Sequence, residues 1–302
     1  MKRILLTGAN GLLGQALIWR LKGNSTLLAT GVEPEPELSP DGWEYRTLDI
    51  TSATQAKELV YEFLPDFIVN AASYTNVDGC EKEKELCWRV NVKGVEILAR
   101  LARRKNAHFI HYSTDYIFNG QNGPYAEDDR PDPVGYYGKS KLASENVTKQ
   151  SGCRFTILRT CVLYGVGRGV KQNFFLWVYN NLKAGQPIRV VTDQYNNPTL
   201  AEDLAHATEQ VIRIGSTGVF HAAGSEYVNR YDFAMKIAQA FQFPPDLITP
   251  ITSDQLNQAA ARPPLGGLKI DLARRVLNYH PHSIEDSLSY LKMKLEKYGS
   301  NG

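Results

Sequence analysis

Ile4-Leu5-Leu6-Thr7-Gly8-Ala9-Asn10-Gly11-Leu12-Leu13-Gly14 decides how the rest of this 302-residue chain is read. A short apolar run enters three glycines spaced Gly-x-x-Gly-x-x-Gly, and a helical pattern follows through Leu21. Gly8 permits a tight turn, Gly11 lets backbone approach a pyrophosphate, and Gly14 lets the helix pack closely on the strand. The helix N-terminus then offers free N–H groups to anionic oxygen. The first gap is one residue longer than in the common fingerprint, and the strand before and helix after are what give the glycines meaning. Together they assign Gly8, Asn10, Gly11, Leu12, Leu13 and Gly14 to a dinucleotide.

Outward from this turn, short apolar runs alternate with longer amphipathic ones, as a parallel sheet covered by helices requires. Strands are expected near 3–7, 27–30, 44–48, 67–70, 108–112 and 154–159, and helices near 12–22, 52–63 and 84–105. A further helix after Pro133 carries Tyr137, Lys141 and Glu145. The expected fold is α/β, a doubly wound parallel sheet of the Rossmann kind. Past residue 160 the pattern breaks at Gly165, Gly167, Gly169, Pro187, Pro198, Pro244, Pro245, Pro263 and Pro264. Residues 1–160 therefore read as the dinucleotide-binding domain, and 161–302 as mainly a smaller C-terminal substrate lobe that can return elements to the main sheet.

Ligands in such sheets lie beyond the carboxyl ends of the strands. The second strand ends at Ala29-Thr30-Gly31-Val32-Glu33, where an acidic residue would hold the ribose hydroxyls of NAD and a basic one the phosphate of NADP. Gly31 leaves room for a phosphate, whereas no arginine follows and Glu33 lies close; on the room at Gly31 the reading is NADP, with NAD as the alternative. Asp49 and Ile50 after the third strand are expected beside adenine. Asn70, Ala71 and Ala72 after the fourth would lie under the cofactor.

Tyr137 and Lys141 are four apart and project from one helix face. A free tyrosine has a pKa near 10, and a neighbouring ammonium is expected to lower it towards a usable proton shuttle. The fifth strand ends in Ser113-Thr114-Asp115, which sets hydroxyls at the same edge, with Thr114 able to donate to a substrate carbonyl. Asn91, in mid-helix where asparagine has poor propensity, is expected to organise a relay water.

Bulk properties exclude several classes. With 43% hydrophobic and 22% charged residues the chain can build a core, and disorder is expected only after Tyr298. A net charge of +2 gives no field that would imply nucleic acid. Cys80, Cys87, Cys153 and Cys161 form no CxxC pair and have no histidine at ligand spacing, so no metal is expected. No stretch approaches the roughly 18 apolar residues of a membrane span, and Thr7, Gly8 and Asn10 interrupt the apolar start. The expected compartment is the cytoplasm.

Gly8-x-x-Gly11-x-x-Gly14, Asn70-Ala71-Ala72, Asn91, Ser113-Thr114 and Tyr137-x-x-x-Lys141 resemble the ordered motifs of the extended short-chain dehydrogenase/reductases. Within them, Ala72-Ser73-Tyr74-Thr75-Asn76-Val77-Asp78, Ser113-Thr114-Asp115-Tyr116-Ile117-Phe118 and Tyr137-Gly138-Lys139-Ser140-Lys141 are similar to the dTDP-4-dehydrorhamnose reductase family. The likeness continues through Arg159-Thr160, Pro198-Thr199-Leu200 and Ala261-Arg262-Pro263. It implies hydride transfer to C4 of a dTDP-4-keto-6-deoxyhexose, with Tyr137 as proton donor, Thr114 on the carbonyl oxygen and Lys141 on the nicotinamide ribose. It also implies cofactor contact by Tyr74, substrate contact by Asp115, and a diphosphate contact by Arg262 or Arg159. A homodimer is compatible with it.

Three rivals bear on this reading. Related dehydratases need an Asp-Glu pair after the threonine, and Asp115-Tyr116 lacks the glutamate. A sugar-nucleotide 4-epimerase shares the tyrosine and lysine, and the NADP-binding regulatory subunit of methionine adenosyltransferase shares the glycine turn and Gly31. The chain also departs from many rhamnose-pathway reductases at Cys161-Val162-Leu163, where they tend to carry a tryptophan.

Overall fold

The computed structural model describes residues 1–256 and 258–299, so the end of the tail expected to be disordered, 300–302, lies outside the described residues. Seven parallel strands form the main sheet: β1 (Lys2–Thr7), β2 (Ser25–Gly31), β3 (Glu44–Thr47), β4 (Phe67–Asn70), β5 (His108–Thr114), β6 (Phe155–Thr160) and β7 (Gly218–His221). Their order is β7-β6-β5-β4-β1-β2-β3, which reverses between β1 and β4. This is the doubly wound Rossmann order, and the crevice at the reversal is where such sheets bind ligands.

Alternation along β1 shows why both faces need helices. Ile4 and Leu6 join one buried cluster with Leu17, Leu27, Val69 and Ile110, while Leu5 joins another with Leu28, Ile68 and Phe109. A strand buried on both faces is apolar throughout, unlike one with a wet side. Helices α1 (Leu12–Leu21) and α8 (Ala201–Ile214) pack on the first face. On the second lie α2 (Ala53–Phe63), α5 (Val95–Lys105) and α6 (Tyr136–Gln150). Each side chain so buried contributes about 2 kcal/mol relative to exposure.

One difference from the expected elements matters for the site. The segment expected as one helix over 84–105 is α4 (Lys84–Trp88), a π-helical turn at Arg89–Gly94 and then α5, and it follows a short helix α3 (Val77–Lys82). Gly94 has a packing reason to interrupt the helix, since a Cβ there would lie 2.8 Å from Ile50 Cδ1. β7 extends the sheet beside β6, so the region after residue 160 does return an element to the main sheet, as its reading allowed.

The region after residue 160 has its own apolar cluster. Tyr164, Phe175, Leu182, Phe233, Ile237 and Leu288 fill it from α7 (Phe174–Lys183), α9 (Arg230–Phe241) and α11 (Ile284–Gly299). Parallel strands Ile188–Val191 and Ile248–Ile251 flank this cluster. No described helix is long and apolar enough to cross a membrane. All four cysteines are free and buried.

One buried charge pair joins α6 to β6. Arg159 Nε and Nη2 each lie 2.8 Å from a different oxygen of Glu145, and both side chains are almost fully buried. Burial alone raises the Glu145 carboxyl, but the Arg159 hydrogen bonds and charge outweigh it and leave the group below its ordinary value. Glu145→Ala, which strands the guanidinium, should lower the unfolding free energy by about 3–5 kcal/mol in urea titration.

Candidate active site

A cleft of about 680 Å³ opens at the carboxyl ends of the strands, where the sheet order reverses. It is lined by the Asn10–Gly14 turn, Ala71, Thr114–Tyr116, Tyr137, Lys141 and Arg230. A larger hollow of about 900 Å³ lies at the opposite end of the sheet, around Lys2, Asp66, Arg154 and Gly215. It contains none of the motif residues and sits at the end of the strands where Rossmann ligands do not bind.

The glycine turn fits a dinucleotide on packing grounds. Gly8 has φ +74°, and a Cβ there would sit 2.7 Å from the Ala71 carbonyl carbon. A Cβ on Gly14 would lie 2.0 Å from the Gly8 carbonyl oxygen, which no side chain can occupy. At Gly11 the nearest atom would be 3.4 Å away, and its backbone faces the cleft. Gly11 is also the N-cap of α1 and brings no side-chain cap, so the first N–H groups of α1 are left for an incoming anion.

Helix α6, which carries Tyr137 and Lys141, is held tightly at its start. A Cβ on Gly138 would lie 2.1 Å from the Tyr116 carbonyl oxygen, so α6 presses on the end of β5 at the residue after Tyr137. The Tyr137 and Tyr116 rings meet edge to face at 5.9 Å. Lys141, one turn on, is buried, and that burial brings its ammonium down to about 8, with Glu145 opposing the shift. The expectation that Lys141 lowers the Tyr137 pKa is corrected: burial dominates and pushes the phenol above its ordinary value, with Cys80, Tyr116 and Asp115 adding to the rise. Tyr137 is therefore a protonated phenol at neutral pH.

Thr114 and Asp115 lie beside it. The Thr114 hydroxyl donates to Asp115 Oδ1 at 3.2 Å, and its oxygen accepts from the Tyr116 N–H at 3.2 Å. A carbonyl arriving in the cleft would compete with Asp115 for that proton. Burial moves the Asp115 carboxyl up to about 6 despite a hydrogen bond from Gly267 N–H and the nearby Arg230 charge.

Several of the other expected residues are spent on partners within the fold. Asn91 is saturated: its Oδ1 accepts from Ser73 Oγ and Tyr74 N, both at 2.8 Å, and its amide donates to Tyr74 O and Ser140 Oγ. With both lone pairs and both N–H bonds used, it has no capacity for the expected relay water, and instead it ties the segment after β4 to α6. The Tyr74 hydroxyl bonds Glu83, away from the cleft. Arg262 forms a two-pronged pair with Asp78 at 2.7 and 3.0 Å, and Arg159 is committed to Glu145, so neither faces a diphosphate. Asp49 caps its own turn by accepting from Thr51, and Ile50 is buried against Gly94; neither lines the cleft. Asn70 lies beneath the cleft, bonded to Thr7 and His111. Ala72 also lies below it, its N–H reaching Thr7 Oγ1 at 3.4 Å.

Arg230 was not anticipated. It opens α9 behind the N-cap Asn229, lies over the Phe174 ring at 4.8 Å and faces Asp115 and Tyr116 across the cleft. Asn229-Arg230-Tyr231-Asp232 is legible as a helix start, but nothing in the sequence brings it to β5. Val162, also in the cleft wall, holds φ +43°, a strained conformation for a β-branched residue. Gly14→Ala should weaken dinucleotide binding by more than about tenfold in fluorescence titration, because the helix must move off the strand to admit the methyl group.

Comparison with known proteins agrees with this architecture. The family model described as RmlD substrate binding domain matches residues 1–295. A probable low-salt glycan biosynthesis reductase of Haloferax volcanii is 33% identical over 300 residues, covering 98% of this chain and 99% of that protein. The crystal structure of a dTDP-4-dehydrorhamnose reductase from Clostridium acetobutylicum superimposes with a TM-score of 0.87 at 31% identity, covering 97% and 99% of the two chains. That of the dTDP-4-dehydrorhamnose reductase of Bacillus anthracis, in complex with NADP, gives 0.84 at 29% identity, covering 97% and 99%. Matched along almost its whole length, the chain belongs to the RmlD substrate binding domain family.

Proposed function

We propose that this protein reduces the C4 ketone of a nucleotide-linked 6-deoxyhexose, converting dTDP-4-dehydrorhamnose to dTDP-L-rhamnose with NADP or NAD as the nicotinamide cofactor. The observation that carries the reading is the convergence of Thr114, Tyr137 and Lys141 in one cleft with the glycine turn. The Bacillus anthracis relative, solved with NADP, supports the cofactor class. In this reading residues 1–160 hold the dinucleotide and the region after 160 supplies most of the sugar-nucleotide contacts.

The reduced dinucleotide supplies a hydride when bound. The residues of the chain then have separable tasks. Thr114 donates a hydrogen bond to the ketone oxygen, giving up its bond to Asp115, and so fixes which carbon faces the ring. Tyr137 protonates the oxygen as negative charge develops there, and its raised pKa suits a donor that must hold its proton until that moment. Lys141 contacts the ribose hydroxyls and, as an ammonium, stabilises the phenolate left after transfer. Arg230, at the C-terminal side of the cleft, takes the substrate diphosphate in place of Arg262.

Dehydration lacks its glutamate, as Tyr116 follows Asp115. A purely regulatory role has no use for the intact Thr114, Tyr137 and Lys141, and a 4-epimerase would keep its cofactor through purification.

The direct test is oxidation of NADPH or NADH on addition of dTDP-4-keto-6-deoxyglucose and a 3,5-epimerase, followed by nicotinamide absorbance. Absence of turnover beside a working control reductase would reject the rhamnose assignment. Tyr137→Phe should lower kcat by about 100-fold or more while dinucleotide affinity stays within about threefold. Arg230→Ala should raise KM for the sugar nucleotide by about tenfold or more with little change in cofactor affinity. The Lys141 ammonium is the form present below about pH 8, so kcat should fall as pH rises through that value.

A further inference from the structure

Gln15 lies in the first turn of α1, directly after Gly14, and is buried although glutamine is mostly an exposed residue. Its amide is spent on backbone from two distant places. Nε2 donates to the Asn10 carbonyl oxygen at 3.0 Å, inside the glycine turn, and to the Arg168 carbonyl oxygen at 2.7 Å. Oε1 accepts from the Arg168 N–H at 2.9 Å. Both amide hydrogens are thus used, one on each side.

Arg168 belongs to the loop over 165–173, which shares the cleft with the glycine turn through Gly169, Val170, Gln172 and Asn173. The base of the loop is closed by Asn173, whose Nδ2 donates to the Gly165 carbonyl oxygen at 2.9 Å while its Oδ1 caps α7. Among the described residues, both hydrogen bonds that tie 166–172 to the first 160 residues come from Gln15. The contact is close, since a Cβ on Gly167 would sit 2.9 Å from Gln15 Oε1. Beyond Asn173 the loop runs straight into α7, whose first residue, Phe174, carries the Arg230 guanidinium over its ring at 4.8 Å. A continuous path of contacts therefore leads from the glycine turn through Gln15, the loop and Phe174 to Arg230.

We propose that Gln15, which belongs to the dinucleotide-binding half and does not itself line the cleft, is a positioning residue for the sugar nucleotide: it latches the 165–173 loop to the glycine turn and so sets Arg230. The inference deepens the proposed function and rests on it. Without the amide, the Arg168 N–H and C=O turn to water, the loop loses its anchor on α1, and Phe174 no longer fixes the guanidinium. Gln15 reaches neither Thr114 nor Tyr137, so the loss falls on binding and leaves the chemical step intact.

The experiment titrates dTDP calorimetrically into full-length protein saturated with NADP⁺, alongside steady-state kinetics. Gln15→Met keeps a side chain of similar length and removes the amide. The dTDP dissociation constant, and KM for the sugar nucleotide with it, should rise by about fivefold or more, while kcat and the NADP⁺ dissociation constant stay within about threefold of wild type. Gly167→Ala, which pushes the amide aside from the loop, should do the same without altering the buried position. A double-mutant cycle separates positioning from general damage. In an Arg230→Ala background either substitution should change the dTDP constant by less than about twofold, because both act through the same guanidinium, whereas independent damage would multiply. An unchanged dTDP constant in the folded single variants, an equal rise in the NADP⁺ constant, or multiplying factors in the cycle overturns the proposal. The expected cycle without turnover of the keto sugar upholds it and rejects only the reductase reading, and wild-type protein that binds neither dTDP nor NADP⁺ rejects both.

Discussion

A single run of buried hydrogen bonds joins the two halves of the cleft. The Thr7 hydroxyl, one residue before the glycine turn, donates to Asn70 Oδ1 at 2.6 Å, and the Asn70 amide reaches His111 Nδ1 at 3.2 Å. His111 Nε2 then meets Ser144 Oγ at 2.8 Å, and the Ser144 hydroxyl donates to the Lys141 carbonyl oxygen at 2.6 Å. Since Nδ1 accepts from Asn70, the network assigns the imidazole proton to Nε2. Burial, with the Lys141 charge second, holds His111 well below its ordinary pKa and keeps it neutral. β1, β4, β5 and α6 are thus tied at the level where pyrophosphate and nicotinamide would lie. A buried network of this kind is stable only when each member is satisfied, which makes it a specification of register as well as a source of stability.

Around this run, the charged groups divide into those the fold uses and those left for chemistry. Arg159 and Glu145 neutralise each other behind α6, and Arg262 and Asp78 latch the segment after Gln258 to α3. Lys141, Tyr137, Asp115 and Arg230 instead converge on the cleft. Desolvation acts on the first three in the direction that favours the neutral form, raising the acids and lowering the amine. A phenol that keeps its proton thus shares the cleft with an amine near its titration point.

Much of the site was legible because its signals are local. A glycine triplet between strand and helix describes its own geometry, and Tyr137 and Lys141 share a helix face wherever that helix lies. The misreadings concern long-range partners. Asn91 was legible as an unusual helix residue, and the π-helical turn confirms that it is one. Its role could not be read, because Ser73 and Ser140 reach it from other elements. Arg262 carried the right charge for a diphosphate, but Asp78, 184 positions away, had already taken it. Arg230 escaped notice for the converse reason: its sequence neighbours are those of an ordinary helix start.

What the sequence by itself determined was the fold class, the glycine turn between β1 and α1, and the placing of Tyr137 and Lys141 on one helix, because hydrophobic period, glycine spacing and helix pitch act over a few residues. Only tertiary structure decided which polar groups would be spent on one another, where β7 would return to the sheet, and how far each pKa would move. Those outcomes depend on burial and on partners far apart along the chain. The end of β2 shows the boundary plainly: sequence reveals a missing carboxylate at Gly31 and an acidic residue two places on, while the fold brings that carboxylate back into the gap.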